Sequence, residues 1–324
     1  MRANTAKRAL RVIAILLVVQ AALAFLMVYS SYKPSPHDLP VGYVGPQAGE
    51  AALASKAGSA VDFRTYSSEQ AARDAIDQRE IYGAVIASNS DRHLLVASAA
   101  SPAVAQLLRE AIAAPRTEIP VTDVAPLSSD DPRGSTINLL VLPLISISLA
   151  AVVALGTLRL RKTALLGALA LFSLLGGIGV MSVVGLGLGA LPGSFFALAG
   201  VMALTILAIT FPTAGLNALL GKAGVPLAAL LFLFIGSPAS GNASAAEMLP
   251  GFWRQIGQFM PLGASGSGIR NTTYFHGNAL VGPLFVLSAY VVGGAALLAV
   301  AGLRRRHAEA SAEIAPEPAL ARAA

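Results

Sequence analysis

The sequence contains no cysteine and little charge. Charged residues make up 12% of its 324 positions, whereas 55% are apolar. The absence of cysteine excludes disulfides, thiolate metal sites and cysteine nucleophiles, so any folded region outside a membrane must be held together by its own core. The low charge and the mean hydropathy of +0.67 are far from a soluble average and assign most of the chain to a lipid bilayer.

Ionisable side chains are missing from the long apolar stretches. Between Thr163 and Gly221 the sequence has no Asp, Glu, Lys, Arg or His. Proton- or sodium-coupled transporters normally keep such a side chain at membrane depth, because its high cost there is tolerated only for a function. Ion-coupled transport is therefore disfavoured, although a site built from backbone carbonyls at unwound helices would escape this argument.

Motifs for catalysis and nucleotide binding are also lacking. The stretch from Gly215 to Lys222 resembles a phosphate-binding loop, but its spacer is one residue too long, and Ala223 stands where Ser or Thr would bind magnesium. No nucleophile with a base and no metal cluster can be named, so we predict no enzyme, no cofactor and no metal. The net charge of +6 is clustered at the ends of apolar runs and accompanies no nucleic-acid motif, so no nucleic acid is predicted as a partner.

Six apolar runs are long enough to cross a bilayer as helices. Crossing about 30 Å of hydrocarbon takes roughly 20 residues whose backbone groups bond within the helix. The predicted spans are 10–30, 137–158, 164–189, 194–220, 224–240 and 280–303. The first is interpreted as an uncleaved anchor rather than a signal peptide. The fifth is the weakest, because Pro226, Gly236 and Pro238 leave a short apolar core between them.

Basic residues at the ends of these runs predict the orientation. Lys and Arg in short loops collect on the cytoplasmic side of a membrane. Six spans with both termini inside place every such cluster on that side, and five or seven spans do not. The residues predicted to set this topology are Arg8, Arg11, Arg159, Arg161, Lys162, Arg304, Arg305 and Arg306. We therefore predict a multi-pass cell-membrane protein with a cytoplasmic N-terminal tail, 1–9, and a disordered cytoplasmic C-terminal tail, 304–324.

The segment 31–136 differs in composition and holds 13 of the 17 acidic residues, which predicts a water-soluble extracytoplasmic domain. The predicted elements are strand Leu39–Gly45, helix Gln47–Gly58, strand Val61–Tyr66, helix Ser68–Arg79, strands Tyr82–Ala87 and His93–Ala99, and helix Pro102–Ala113. A polar linker, 126–135, leads into the second span. The fold class is thus a mainly α membrane protein with six transmembrane helices and a small α/β domain between the first and second.

Within the five-helix region 137–303, the segment 247–277 carries the most distinctive pattern. An amphipathic helix too short and too polar to span is predicted from Leu249, Phe252, Trp253, Ile256, Phe259 and Met260, with Trp253 at headgroup depth. Pro261 and Gly263 are expected to break it before a second short element that leads through Arg270. The pair is predicted to be interfacial or re-entrant, shielded by protein or facing a water-filled cavity.

This segment resembles the region before the last helix of type-2 ABC export permeases, above all of their phage-infection-protein-like (YhgE/Pip) relatives. The residues of the resemblance and of the gate that it implies are Leu249, Pro250, Phe252, Trp253, Pro261, Gly263, Arg270, Tyr274, Phe275 and Gly277. The order of one span, an external domain and five further spans is also similar. The resemblance implies a homodimeric export path, closed outside by the short helices and driven by a separate ATP-binding-cassette ATPase.

Two functions follow from these observations. The first is a permease-like subunit, homodimeric and without its own ATPase, that exports an amphiphilic or envelope-associated substrate. The second is a non-transporting membrane receptor or scaffold whose external domain binds a partner. The short loop 159–163 favours the second, because such permeases are expected to offer an ATPase a coupling helix there. Small residues such as Gly176, Gly177 and Gly179 fit either a subunit interface or packing within the chain.

Overall fold

The computed structural model describes residues 2–29, 35–88, 92–112, 119–158 and 160–314, and they form a mainly helical protein with one small mixed sheet. The helices are α1 (Arg2–Tyr29), α2 (Gln47–Ala57), α3 (Glu69–Asp77), α4 (Pro102–Ile112), α5 (Thr136–Thr157), α6 (Lys162–Met181), α7 (Phe195–Leu220), α8 (Gly224–Ala229), α9 (Ser237–Ala239), α10 (Gly251–Gly257), α11 (Pro261–Tyr274) and α12 (Val281–Ile314). The strands are β1 (Leu39–Val44), β2 (Val61–Thr65), β3 (Gly83–Ala87), β4 (Arg92–Val96) and β5 (Val121–Asp123).

Five helical stretches of the described chain are long and apolar enough to cross a membrane. They are Leu10–Tyr29, Thr136–Thr157, Lys162–Gly187, Phe195–Ala239 and Val281–Arg304. The prediction of a mainly helical chain with several apolar helices long enough to span a membrane is confirmed. The predicted fourth and fifth spans both fall within the single stretch Phe195–Ala239, which has 45 residues.

The 45-residue stretch is a helical hairpin. A short turn, Gly221–Ala223, opens with φ +59° at Gly221. A Cβ atom on Gly224 would overlap the backbone of Asn217 and Leu216. In one continuous helix residues seven apart are about 10 Å from each other, so the chain must reverse here. The return arm is irregular: α8 continues as π-helical turns, Leu230–Gly236, and ends in α9.

Helix α7 is the centre of the bundle, packed against α5, α6, α11 and α12. A Cβ atom on Gly177 would overlap the backbone of Ala199 in α7, whereas Gly179 has open space around it. Gly177 therefore allows close packing within the chain, which is one of the two roles predicted for the small residues. The other role, a contact between subunits, stays a prediction for Gly179.

The basic helix ends lie together at one end of the bundle. The side-chain amine of Lys162, at the start of α6, lies beside Gly302 of α12, at the position that a Cβ atom on this glycine would occupy. Leu165 near the start of α6 and Leu298 near the end of α12 belong to one apolar cluster with Val225. Arg161 and Arg304 are therefore at this end, and Lys222 is beside Val225. Arg159 lies outside the described residues.

The first and last helices extend into the segments that were predicted to be the N-terminal and C-terminal tails. Helix α1 begins at Arg2, so Arg8 and Arg11 lie within it and are exposed. Helix α12 continues to Ile314, so residues 304–314, including Arg305 and Arg306, are helical rather than disordered. Ala and Glu are frequent in residues 304–314. Both are good helix formers, so they favour extension of α12 through this part of the chain. The predicted disorder beyond 314 lies outside the described residues.

The segment between α1 and α5 forms a five-stranded sheet in the order β2-β1-β3-β4-β5, with β4 antiparallel to β3 and the other neighbours parallel. Each of the seven predicted elements is present, with ends that differ by at most three residues. Strand β5 was missed, because three residues are too few to show an alternating pattern. Helix α3 is capped by Ser68, whose Oγ accepts from the Ala71 N–H at 3.1 Å.

The linker 126–135 is ordered and caps α5. The Asp131 carboxylate accepts hydrogen bonds from the backbone N–H groups of Thr136 at 2.9 Å and Ser135 at 3.0 Å. Ser128 donates to the carbonyl of Gly189, in the turn between α6 and α7. The linker therefore satisfies N–H groups at the start of α5 that have no partner within the helix.

We expect Asp131→Ala to lower the free energy of unfolding by about 1–2 kcal/mol, because these N–H groups lose their acceptor. Burial raises the pKa of Asp131, but the hydrogen bonds from Thr136 and Ser135 outweigh burial and hold the pKa below its usual 3.8. A lowered pKa in the folded state stabilises it above the unfolded-state value, and this contribution is lost as the pH falls through the folded-state value.

The measurement is thermal unfolding in detergent across pH. The difference between wild type and Asp131→Ala should be constant above about pH 5 and shrink below the usual value of 3.8. Exposed Asp130 is the matched control, and Asp130→Ala should behave as wild type. A difference that persists undiminished at about pH 2 would contradict this role of the carboxylate.

Candidate functional site

A polar pocket of about 380 Å³ lies between the sheet domain and the chain that precedes α12. We call it the junction pocket. One wall belongs to the domain and the other to the segment 240–270. The side chains that give it chemical character are Arg64, Arg79, Tyr82, Glu247, Gln258 and Arg270.

The two walls are joined by hydrogen bonds and by a shared core. The Tyr82 hydroxyl donates to the Glu247 carboxylate at 2.7 Å, and Ser101 Oγ donates to the carbonyl of Ser244. Met248 lies in the apolar cluster of Leu39 and other sheet residues, on the domain side. The segment before α12 is therefore part of the folding unit of the domain, although more than 100 residues separate the two in sequence.

Arg79 is held in an unusual backbone conformation at the domain wall. It follows the end of α3 with φ +64°, a left-handed position where glycine is the usual residue. Its guanidinium lies 5.0 Å from the centre of the Phe275 ring, and Nη1 donates to the carbonyl of Ala100 at 3.5 Å. Burial lowers the pKa of Arg79, while nearby Tyr82 and Glu247 raise it.

Helix α11 positions Arg270 at the opposite wall. The helix can approach its neighbours because glycines face them: a Cβ atom on Gly263 would overlap the carbonyl of Gly257, and one on Gly266 would overlap the side chain of Asn242. Arg270 is only 6% exposed, and its Nη2 donates to the carbonyl of Asn242 at 3.4 Å. Burial, and then the charge of Arg79, lowers the pKa of Arg270 to about 10, so the guanidinium stays charged at neutral pH.

Five charged side chains line the pocket, namely Arg64, Arg79 and Arg270 with Glu80 and Glu247. Arg64 forms an ion pair with Asp62 at 3.1 Å, whereas Arg79 and Arg270 form none among the described residues. Burial, and then Glu247, raises the pKa of Tyr82, so its hydroxyl remains protonated and donates to that carboxylate. No group of three metal-ligating side chains occurs among the described residues. The arrangement is suited to binding an anion.

Helix α11 extends from the pocket into the bundle along the first half of α7, between Leu198 and Ile209. Leu262, near its start, shares an apolar cluster with Ile209. One turn further, the Ser265 and Thr205 hydroxyls are hydrogen-bonded at 2.9 Å. Near its end, Ile269 packs in a cluster that contains Leu198, close to the start of α7. Any movement of α11 would therefore change both the shape of the junction pocket and the packing of α11 against α7.

The residues of the predicted gate are distributed over three environments. Leu249, Trp253, Pro261, Gly263, Arg270 and Phe275 are buried, Phe252 is exposed, and Pro250, Tyr274 and Gly277 are partly buried. Of these ten, Arg270 alone lines the junction pocket. The break in the helix lies at 258–260 rather than at Pro261 and Gly263. Pro261 instead opens α11, because proline needs no N–H partner in the first turn.

Trp253 is packed against the end of α1. It is 6% exposed and lies in a cluster with Ala239 and Leu249, with Leu26 of α1 packed on it. This is the predicted amphipathic segment, but the helix itself covers only Gly251–Gly257. The position of the indole at headgroup depth stays a prediction.

Since Trp253 is the single tryptophan, its fluorescence reports on this cluster alone. We expect a short-wavelength emission maximum and weak quenching by iodide, because the indole is covered. Leu26→Ala should shift the emission to longer wavelength and increase quenching. Leu17→Ala is the control, because Leu17 is exposed on the same helix and does not reach the cluster. Equal quenching in both variants would show that α1 does not pack there.

Sequence reasoning missed most of the pocket, namely Arg79, Tyr82, Asn242, Glu247 and Gln258. Two signals were present. Glu247 is the single acidic residue between Asp131 and Glu309, and such isolation in an apolar region marks a costly, specific placement. Arg79 follows the end of a helix, at a position where glycine is usual.

Comparison of the chain with protein-family models, curated proteins and solved structures finds no match.

Proposed function

We propose that the chain is a permease-like subunit of an export system for an amphiphilic or envelope-associated substrate. The observation that carries the proposal is that one buried helix, α11, connects the arginine-lined junction pocket with the centre of the apolar bundle. A substrate group bound in the pocket would act directly on a helix packed against α5, α7 and α12. Such a connection is what a gate at the outer end of an export path requires.

The proposal includes six crossings, with both termini in the cytoplasm and the sheet domain outside. It is supported by the reversal at Gly221–Ala223, which divides Phe195–Ala239 into two arms. The basic helix ends are at one end of the bundle and the sheet domain is at the other, as a charge-directed orientation requires. The second arm is short at about 24 Å, and within its irregular turns Phe232 and Gly236 are buried against protein.

Single cysteines test this topology cleanly, because the natural chain has none. Ser55→Cys in the domain and Pro192→Cys in the turn before α7 should react with a membrane-impermeant maleimide in intact cells. Lys222→Cys should react only after the membrane is opened. Labelling of Lys222→Cys in intact cells would contradict six crossings with both termini inside.

Homodimerisation and a separate ATP-binding-cassette ATPase are part of the same proposal. The test is purification of the full chain in mild detergent, with measurement of the mass of the complex and of ATPase activity that co-purifies. Cells lacking the chain should then retain envelope amphiphiles that wild-type cells export in an ATP-dependent manner. A monomer without ATPase, together with unchanged export, would contradict the proposal.

The second candidate is a receptor or scaffold, and the interior of the bundle favours it. Two of its buried hydroxyls are satisfied within their own helices: Ser148 donates to the carbonyl of Leu144 at 2.6 Å, and Ser173 to that of Leu169 at 2.8 Å. Such hydroxyls provide no polar path through a single subunit. A soluble or envelope partner that cross-links to the sheet domain, in the absence of any ATPase, would support this function.

A further inference from the structure

Arg79 and Arg270 carry charges of the same sign and line one pocket; Arg270 is buried at 6% exposed, and Arg79 is partly buried. Neither forms an ion pair with a carboxylate in the described part of the chain. Among those residues, Arg270 makes one hydrogen bond, the long one to the Asn242 carbonyl at 3.4 Å. A guanidinium has five N–H donors, so most of those on Arg270 lack a protein acceptor. Buried charges are normally paired, and Arg270 is not.

The acidic residues of the pocket form no ion pair with these arginines among the described residues. Glu247 is engaged by the Tyr82 hydroxyl at 2.7 Å. Glu80 is exposed, and Arg64 donates to its backbone carbonyl, while the Arg64 guanidinium is paired with Asp62 at 3.1 Å. Arg79 and Arg270 are therefore the guanidinium groups of the pocket without a carboxylate partner in that part of the chain.

The backbone conformation of Arg79 is energetically unfavourable. Its φ of +64° suits glycine, because a side chain in this conformation crowds the backbone. Stacking on Phe275 nevertheless holds the guanidinium against the pocket. A strained residue that carries an unpaired charge into a cavity is the kind of outlier from which a function is inferred.

The pocket has room for more than an inorganic ion. A second cavity of about 210 Å³ lies beside it and is lined by Met27 of α1 and Asn138 of α5. The two cavities share Ser240, Gly241, Asn242 and Ser244 in their linings, so this short segment separates the arginine-lined pocket from the space next to α1 and α5.

We propose that the junction pocket binds a phosphate group through the guanidinium groups of Arg79 and Arg270. Paired arginines match phosphate oxygens because each planar fork can donate two parallel hydrogen bonds. The phosphate belongs either to the headgroup of a lipid or similar amphiphile or to a soluble phosphate. This site does not depend on the export proposal, since a receptor would use it equally.

The experiment uses the full chain in dodecyl maltoside, which contains no phosphate. Inorganic phosphate and dihexanoyl phosphatidylglycerol are titrated separately at constant ionic strength, and the unfolding temperature is measured. A saturable rise with phosphatidylglycerol alone identifies a headgroup, and a rise with both shows that phosphate is sufficient. A rise with neither overturns the proposal. Export and topology are measured separately, so failure of one proposal leaves the other intact.

Variants assign the binding to the two arginines. Arg270→Gln and Arg79→Gln should weaken binding about ten- to a hundredfold, the loss expected for charge-assisted hydrogen bonds. Arg109→Gln is the control, because Arg109 is paired with Asp123 at 3.2 Å and does not line the pocket. Unchanged binding in Arg270→Gln and Arg79→Gln would overturn the proposal.

Stability without ligand separates binding from a structural role. Arg270→Gln should unfold at or above the wild-type temperature in the absence of phosphate, because it removes an unpaired buried charge. Should it fail to fold, Arg79→Gly provides the same test with a backbone suited to its conformation. Wild-type affinity for phosphate and phosphatidylglycerol in a folded Arg79→Gly would count against the site.

Discussion

Phe275→Ala is expected to lower the free energy of unfolding by about 3–5 kcal/mol, the range for removing a fully buried aromatic side chain. Phe275 follows α11 in sequence, yet its ring is 0% exposed in the core of the sheet domain, beside Ala72 and Ile76 of α3. The ring also lies under the Arg79 guanidinium. Its loss would leave a cavity and release one wall of the junction pocket.

Two phenylalanines of the same segment are matched controls for this variant. Phe252 and Phe259 are 68% and 71% exposed, so Phe252→Ala and Phe259→Ala should change stability by less than about 0.5 kcal/mol. Chemical unfolding in detergent, followed by Trp253 fluorescence, measures all three. If Phe275 were a surface gate, as its place in the motif implied, the three variants would be equally stable. A small effect of Phe275→Ala would support that role.

Gly294→Ala is expected to destabilise the bundle by about 3 kcal/mol, at the upper end of the range for overpacking. A Cβ atom there would overlap the backbone N of Pro212 and the backbone C of Phe211, which cannot rotate away as a side chain can. Helices α7 and α12 would have to move apart along their whole contact.

The neighbouring glycine is the control for the helix contact. A Cβ atom added to Gly293 would point into open space, because this side of α12 has no neighbouring atom within 4 Å. Gly293→Ala should therefore be neutral or slightly stabilising, since alanine favours a helix by up to about 1 kcal/mol over glycine. Thermal unfolding and the yield of monodisperse protein compare the two variants. Equal behaviour would show that α7 and α12 do not pack as closely as described.

The sheet domain was the part of the fold that could be predicted in most detail. Its helices and strands have the periods and caps of ordinary soluble elements, as in α3, where Ser68 precedes the buried Ala72, Ala75 and Ile76. Strand β5 could not be predicted, because its three residues pair with β4 only once the sheet exists. The order of the strands likewise depends on contacts between elements.

The helical hairpin shows what hydropathy can and cannot predict. The apolar run Phe195–Ala239 is evident in the sequence, and Gly221 and Lys222 indicate a turn. Whether such a run forms one long helix or two arms depends on whether the chain reverses, and the close contact of Gly224 with the backbone of Asn217 and Leu216 shows that it does. The same holds for the small residues, since Gly177 and Gly179 look alike in sequence but only Gly177 faces a neighbouring helix.

Arg270 was singled out from the sequence, but its partners were not. Arg79 and Tyr82 precede it by more than 180 residues, and no local pattern relates them to α11. Their meeting depends on the segment 240–278 packing into the sheet domain, where Phe275 and Met248 complete its core. A pocket formed by distant segments leaves no period or spacing that can be read along the chain.

By itself, the sequence determined which stretches are apolar helices, where basic residues mark their ends and where a small cysteine-free α/β domain is inserted. These features follow from local composition and from the need of each helix to satisfy its own backbone. The tertiary structure alone decided that the chain reverses after α7, that Phe275 belongs to the domain core and that two arginines face one pocket. Such features arise from packing between distant segments, whose energies exist only after the chain has folded.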